Sequence, residues 1–267
     1  MRNVRALIAY DGSKFFGWQR QEGFDSVQET LEVALEALLG SHVAVHGAGR
    51  TDTGVHALGQ VASFHVDTHL DDDRVRHALN ANLPEGVVVR RLETCADEFH
   101  AQFHARGKRY GYRVATSRFR PPFASSYSHW VRDPLDLVAM RDAAERFLGR
   151  RDFAALATSG SPRATTVRTI RSLHIHARRE WFAIVVEGDG FLYNMVRTIA
   201  GTLLDVGRGK LVADDVSAIL DSKDRREAGA TAPPTGLYML RVLYSEPVFR
   251  GRDRGPRGVP GLFQYGS

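Results

Sequence analysis

Gly47-Ala48-Gly49-Arg50-Thr51-Asp52-Thr53-Gly54-Val55-His56-Ala57-Leu58-Gly59-Gln60 runs without a break into Val61-Ala62-Ser63-Phe64-His65-Val66. Four glycines in fourteen residues let the backbone bend sharply and let a ligand come close to it. The apolar segment behind them reads as a strand over 61–66, which fastens a turn to a rigid element. Inside the loop Arg50 and Asp52 stand two residues apart, so a cation and a carboxylate are presented together. An aspartate in a glycine-rich turn ordinarily caps its own backbone. A functional reading of Asp52 therefore depends on what surrounds it.

Working outward, residues 42–46 read as a strand entering the loop and 61–66 as its hairpin partner. Upstream, Val4, Ala6, Ile8 and Tyr10 alternate with Arg5, Leu7 and Ala9, a strand stopped by the turn pair Asp11-Gly12. Ser26-Val27-Gln28-Glu29 is a capping box. It opens a helix with Val27, Leu31, Ala34, Leu35, Leu38 and Leu39 on one face, closed by Gly40. Downstream, Asp71, Asp72 and Asp73 sit where a helix dipole favours acids. That helix turns Val75, Ala78, Leu79 and Leu83 inward, and residues 87–89 form the next strand.

The same order then recurs. Residues 107–114 read as a strand with Lys108, Tyr110, Tyr112 and Val114 on one face. Asp133-Pro134 predicts an N-cap and first helical residue, with Leu137, Met140, Ala144, Phe147 and Leu148 buried before Gly149. Residues 173–177 and 182–186 form a hairpin. Gly188-Asp189-Gly190 turns into a helix over 191–206, and a short helix follows around Val216, Ile219 and Leu220 before a strand over 237–244. Strand, helix, two strands, helix, strand, given twice, predicts an α+β protein of two ferredoxin-like halves, 1–105 and 106–249. They would form one extended mixed, mainly antiparallel sheet with helices on one face and a central basic cleft. Residues 250–267, rich in Gly, Arg and Pro, read as a mobile basic tail. No word repeats between the halves, so the duplication rests on element order.

Composition narrows the function. A length of 267 residues with 43% apolar content is globular, and a net charge of +5 with a pI near 9.5 points to an anionic partner. The single cysteine, Cys95, excludes an internal disulfide and suits a reducing compartment. The apolar run before Asp11 is too short for a signal-peptide core, and 191–206 carries Asn194, Arg197 and Asp205, so it spans no membrane. These features predict a soluble cytoplasmic protein. Metal sites are rejected on spacing: Cys95 with His100 and His104 lacks paired ligands, and His42/His46 and His65/His69 lack a partner carboxylate. Lys14, Phe15, Phe16, Gly17, Trp18, Gln19, Arg20 and Gln21 mix aromatics with cations, as base stacking and phosphate contact require. Phe16 and Trp18 equally suit rings packed beneath a hairpin. Residues 157–166, with Arg163, Arg168 and Arg171 around them, are either a phosphate grip or a solvated loop.

The wording G-R-T-D-x-G-V-H-A-x-G-Q-V at 49–61 resembles the active-site motif of the tRNA pseudouridine synthase A (TruA) family. Thr53 stands where that family commonly has Ala. The likeness runs from Tyr10 to Tyr244: G-W-Q at 17–19, S-V-Q-E-T-L-E at 26–32, R-Y-x-Y at 109–112, T-V-R-T-I at 166–170, G-F-L-Y-N-M-V-R at 190–197 and G-L-Y at 236–238. The resemblance implies an isomerase that converts uridines of the tRNA anticodon stem-loop to pseudouridine by base flipping. It implies no metal or organic cofactor, and a homodimer in which one tRNA touches both subunits. By that match Asp52 is the catalytic residue, Arg197 the guanidinium that keeps it ionised, Tyr110 the ring against the flipped uracil, and Leu237 an apolar wall of the pocket.

The residue types suit the chemistry. Cleaving the N1–C1′ bond builds positive charge on the ribose, which a carboxylate attacks or stabilises. In a dry pocket that carboxylate would take up a proton unless a fixed cation opposed it. Arg50, Lys14, Arg20, Arg106, Lys108, Arg109, Arg163 and Arg168 would grip the RNA backbone and offset the cost of unstacking the base. Two other readings remain: a non-catalytic RNA-binding protein on a ferredoxin-like scaffold, and a metal-dependent nuclease or hydrolase.

Overall fold

The computed structural model describes residues 1–158 and 165–249. Arg163 and the expected tail over 250–267 lie outside the described residues. Within them the fold is α+β, as the element order predicts, with five α-helices and ten strands. By contacts the chain divides into two units. The first comprises residues 1–106 and 238–249 among those described, the second residues 107–237.

The first unit opens with β1 (Arg2–Tyr10). α1 (Val27–Leu39) follows, capped by the Ser26 hydroxyl accepting from the Glu29 N–H at 3.2 Å and closed by Gly40 in the left-handed region at φ 75°. Then come β2 (His46–Gly47), β3 (His56–Val66), α2 (Asp72–Asn82) and β4 (Val87–Thr94). β1 pairs antiparallel with both β4 and β3, and β2 lies antiparallel on β3, the order of a split β-α-β unit. Asp71 caps α2 by accepting from the Arg74 N–H at 2.8 Å, so the acidic run serves the helix end.

The strand expected over 42–46 shrinks to His46–Gly47. The cause lies in α1: the Val45 N–H donates to the Glu32 carboxylate at 3.1 Å and the Val45 carbonyl accepts from Gln28 at 3.2 Å. Both of the backbone groups that a sheet neighbour would use are taken.

β1 also departs from simple alternation, because Leu7 and Ala9 are buried along with Val4, Ala6 and Ile8. Residues 96–101 cover its second face. The Asn3 amide donates to the carbonyls of Ala96, Asp97 and Phe99 at 2.8–3.1 Å, and the Ala101 N–H donates to Ser63 Oγ at 3.1 Å.

The second unit begins with β5 (Gly107–Ala115). It continues through β6 (His129–Trp130), α3 (Leu137–Glu145), β7 (Gly149–Asp152), β8 (Val167–Ala177), β9 (Trp181–Gly188), α4 (Met195–Gly207) and α5 (Ala213–Ser222). β5, β9, β8 and β7 form antiparallel ladders in that order, and β6 lies parallel on β5.

Two helix starts differ from expectation. α3 is capped by Asp136, whose carboxylate accepts from both Val138 and Ala139 N–H at 2.8 and 3.0 Å, and not by Asp133 three residues earlier. α4 starts at Met195 rather than 191, because Asn194 at φ 62° interrupts the helical run.

The last strand, β10 (Leu237–Leu243), returns to the first unit. It pairs parallel with β3 through Tyr238↔His56 and Met239↔Ala57, and the Tyr238 and His56 rings stack at 4.6 Å. The Arg106 N–H donates to the Leu243 carbonyl at 2.7 Å, and the Tyr244 hydroxyl donates to the Ala101 carbonyl at 2.8 Å. These contacts draw residues 238–249 away from the 106–249 segment in which the element order had placed them.

Candidate active site

Asp52 is half-buried at the head of a turn. The Val55 N–H donates to the Asp52 carbonyl at 3.1 Å, and Gly54 at φ 79° takes the position where such a turn needs a left-handed residue. Neighbouring segments hold this turn from several sides. The Trp18 N–H donates to the Thr51 carbonyl at 3.0 Å, and the Gly54 N–H donates to the Gly12 carbonyl at 3.2 Å. Tyr10 Oη and Thr51 Oγ1 share a buried hydrogen bond of 2.7 Å, and burial pushes the Tyr10 phenol well above its ordinary range. On the other flank the Gln60 amide donates to the Gly49 carbonyl at 2.7 Å, and the Gly12 N–H donates to His56 Nδ1 at 3.1 Å.

Three glycines make this docking possible. A Cβ on Gly12 would stand 2.0 Å from the Val55 carbonyl oxygen, one on Gly17 2.6 Å from that of Thr51, and one on Gly47 2.3 Å from the Trp18 indole. Trp18 is therefore packed, 2% exposed, and of the two readings offered for it the packed one holds. Phe16 is 49% exposed. Tyr10, Thr51 and Gln60 carry no signal of their own in the sequence, because their partners stand 11 to 41 residues away.

In the second unit Tyr110 lies on β5 opposite Val186, 7% exposed, with the Phe191 ring edge-on at 5.2 Å. Arg197 sits in the first turn of α4. Its Nε donates to the Ala232 carbonyl at 2.7 Å and its Nη1 to Asn194 Oδ1 at 2.8 Å, while Asn194 Nδ2 donates to Thr158 Oγ1 at 2.9 Å. The left-handed Asn194 thus interrupts the helix and aims the arginine. Gly201 allows the supporting segment to approach, since a Cβ there would stand 1.7 Å from the Ala230 carbonyl oxygen. Tyr112, beside Tyr110 on β5, donates its hydroxyl to the Pro233 carbonyl at 2.9 Å. Burial raises its phenol, and the Arg197 charge partly opposes that. Leu237, 6% exposed, follows directly on this segment.

The expected RNA-contact residues differ in what holds them. Arg50 is exposed and forms no ion pair with a described residue. Lys14 pairs at 3.3 Å with Glu85, whose side chain is almost fully exposed, a contact worth little. Arg20 pairs at 3.1 Å with the buried Glu32, and Arg109 at 2.6 Å with Glu187. Arg168 donates to the carbonyls of Thr165 and Val167 at 3.1 and 2.6 Å. Lys108, largely shielded from water on β5, is pushed below the ordinary lysine range by desolvation. Among the described residues no group of three or more His, Cys, Asp and Glu is placed to hold a metal ion, and no helix is long and apolar enough to cross a membrane.

The profile of the family described as tRNA pseudouridine synthase matches residues 6–104 and 143–245, one segment holding Asp52 and the other Arg197 and Leu237. The chain belongs to that family. Particular relatives carry the name tRNA pseudouridine synthase A. The protein of Acetivibrio thermocellus is 44% identical over 244 residues, and that of a Thermoanaerobacter species 43% over 244 residues; each match covers 91% of this chain and all of the relative. A Clostridium perfringens protein named tRNA pseudouridine synthase A 2 is 40% identical over the same shares.

Proposed function

We propose that this chain isomerises uridine to pseudouridine in the anticodon stem-loop of tRNA, in the cytoplasm and as a homodimer. The N1–C1′ bond breaks, the uracil turns while held, C5 bonds to C1′, and the C5 proton is lost while N1 gains one. Asp52 meets the positive charge that develops on the ribose. Arg197, aimed by Asn194 and Ala232, keeps a carboxylate ionised where desolvation would protonate it. Tyr110 stacks on the extruded base and Leu237 closes against it. Arg50 and Lys14 grip phosphate most readily, having weak partners or none to give up, and Arg20, Arg109, Arg163 and Arg168 extend the contact.

The observation that carries this reading is the fixed turn under Asp52. A carboxylate that merely ended a surface turn would not need Tyr10 and Trp18 bonded to Thr51 before it and Gly12 to Gly54 after it. Family membership supplies the reaction and the substrate class. The test is to incubate the purified protein with unmodified whole tRNA, without added metal, and to map pseudouridine along the product. Wild type should form it, whereas Asp52→Asn should bind tRNA as tightly and form none. Turnover by that variant, or cleaved RNA in place of isomerised RNA, would overturn the proposal.

A further inference from the structure

Phe16 and Phe24 lie 49% and 46% exposed, their ring centroids 4.7 Å apart, on the loop that braces the Asp52 turn. Two large apolar rings half open to water and touching each other are costly unless something covers them. Their backbone is fixed: the Phe16 N–H donates to the Asp25 carbonyl at 2.8 Å, and Gln21 and Phe24 bridge across a turn containing Gly23 at φ 80°. The residue after Phe16 is Gly17, which lies against the backbone of Thr51, Asp52 and Thr53. The pair is thus held beside the Asp52 turn by the segment that holds the turn itself. Lys14 and Arg20 stand in the same loop, ion-paired with Glu85 and Glu32. It is the pair's place beside the Asp52 turn, where the proposed function puts the RNA, that makes a nucleobase its occupant.

We infer that Phe16 and Phe24 form a stacking platform for an unpaired nucleobase next to the uridine that enters the Asp52 site. This rests on the reading of the chain as a tRNA-modifying enzyme. Stacking on an aromatic face is indifferent to base identity, because every base has one. The platform would therefore hold the flanking nucleotide of many tRNAs and keep the strand splayed while the target base is out.

The test is a double-mutant cycle on whole tRNA transcripts. Phe16→Leu, Phe24→Leu and the double variant keep apolar volume but remove the π-face. Each is measured against transcripts with a single abasic nucleotide at each unpaired position flanking the target, reading both Kd and the single-turnover rate. The Leu variants should lose about tenfold in affinity, keep the rate at saturation and the melting temperature, and recover affinity as Phe16→Trp. In wild type one abasic position should cost the same factor, and in the double variant that position should cost nothing further. Unchanged affinity in the Leu variants, or an abasic penalty that persists undiminished in the double variant, would overturn the platform. So would a change of oligomeric state with tRNA affinity intact, which would make the pair a protein interface. Affinity and product are read separately, so a wild type that binds tRNA but forms no pseudouridine would refute the activity and not the platform.

Discussion

Thr51 is gripped by both its main chain and its side chain, and Asp52 is the next residue along the chain. Replacing Tyr10 by Phe deletes the 2.7 Å bond to Thr51 without changing the ring. Such a bond contributes about 1 kcal/mol net, so Tyr10→Phe should lower kcat about fivefold while leaving tRNA affinity alone, in single-turnover and binding assays. Arg197→Lys is the harsher change. The planar fork that serves Ala232 and Asn194 together has no lysine equivalent. With charge-assisted bonds at stake, kcat should fall about a hundredfold, measured as pseudouridine formed per tRNA at a temperature where wild type and variant both remain folded. Asp52 stands out as a candidate in the sequence because the residues around it form a long, distinctive word. The anchors were not: Tyr10 alternates like any strand tyrosine, and nothing local in Thr51 or Gln60 announces a partner across the fold.

At the scale of the element, glycines separate structure from activity. Gly17 sits at φ 83° against the Thr51 carbonyl, whereas Gly40 sits at φ 75° with nothing near its missing Cβ. Both Gly17→Ala and Gly40→Ala incur the left-handed penalty of about 1–2 kcal/mol. Only Gly17→Ala also pushes on the Asp52 turn, so it alone should depress kcat when the two variants are compared at a temperature where both remain folded. α1 was readable because its cap and its terminator are local, Ser26 before it and Gly40 after it. The start of α3 is not readable locally because two aspartates three residues apart can both cap, and the choice of Asp136 depends on where Val138 and Ala139 present their N–H groups. The sequence places the start of α4 too early because periodicity continues through 191–194 and cannot register a single left-handed Asn194. β2, β6 and β7 are two to four residues long, too short for any alternation to show.

For the whole molecule the governing fact is charge. A chain of net charge +5 that binds a polyanion releases counterions, so a fourfold rise in salt should weaken tRNA binding more than about tenfold. A flat salt response in equilibrium binding would place recognition elsewhere. The mixed α+β class was legible in the element order, but the return of β10 was not, since a parallel ladder leaves no turn signature to read. That return sets a timetable for synthesis. Residues 1–106 leave the ribosome first, yet β3 lacks its parallel neighbour until Tyr238 and Met239 have emerged. Throughout that interval the nascent amino-terminal unit carries an open strand edge beside the Asp52 turn. A chain cut before Tyr238 would therefore keep that edge open for good and be prone to stick to its neighbours.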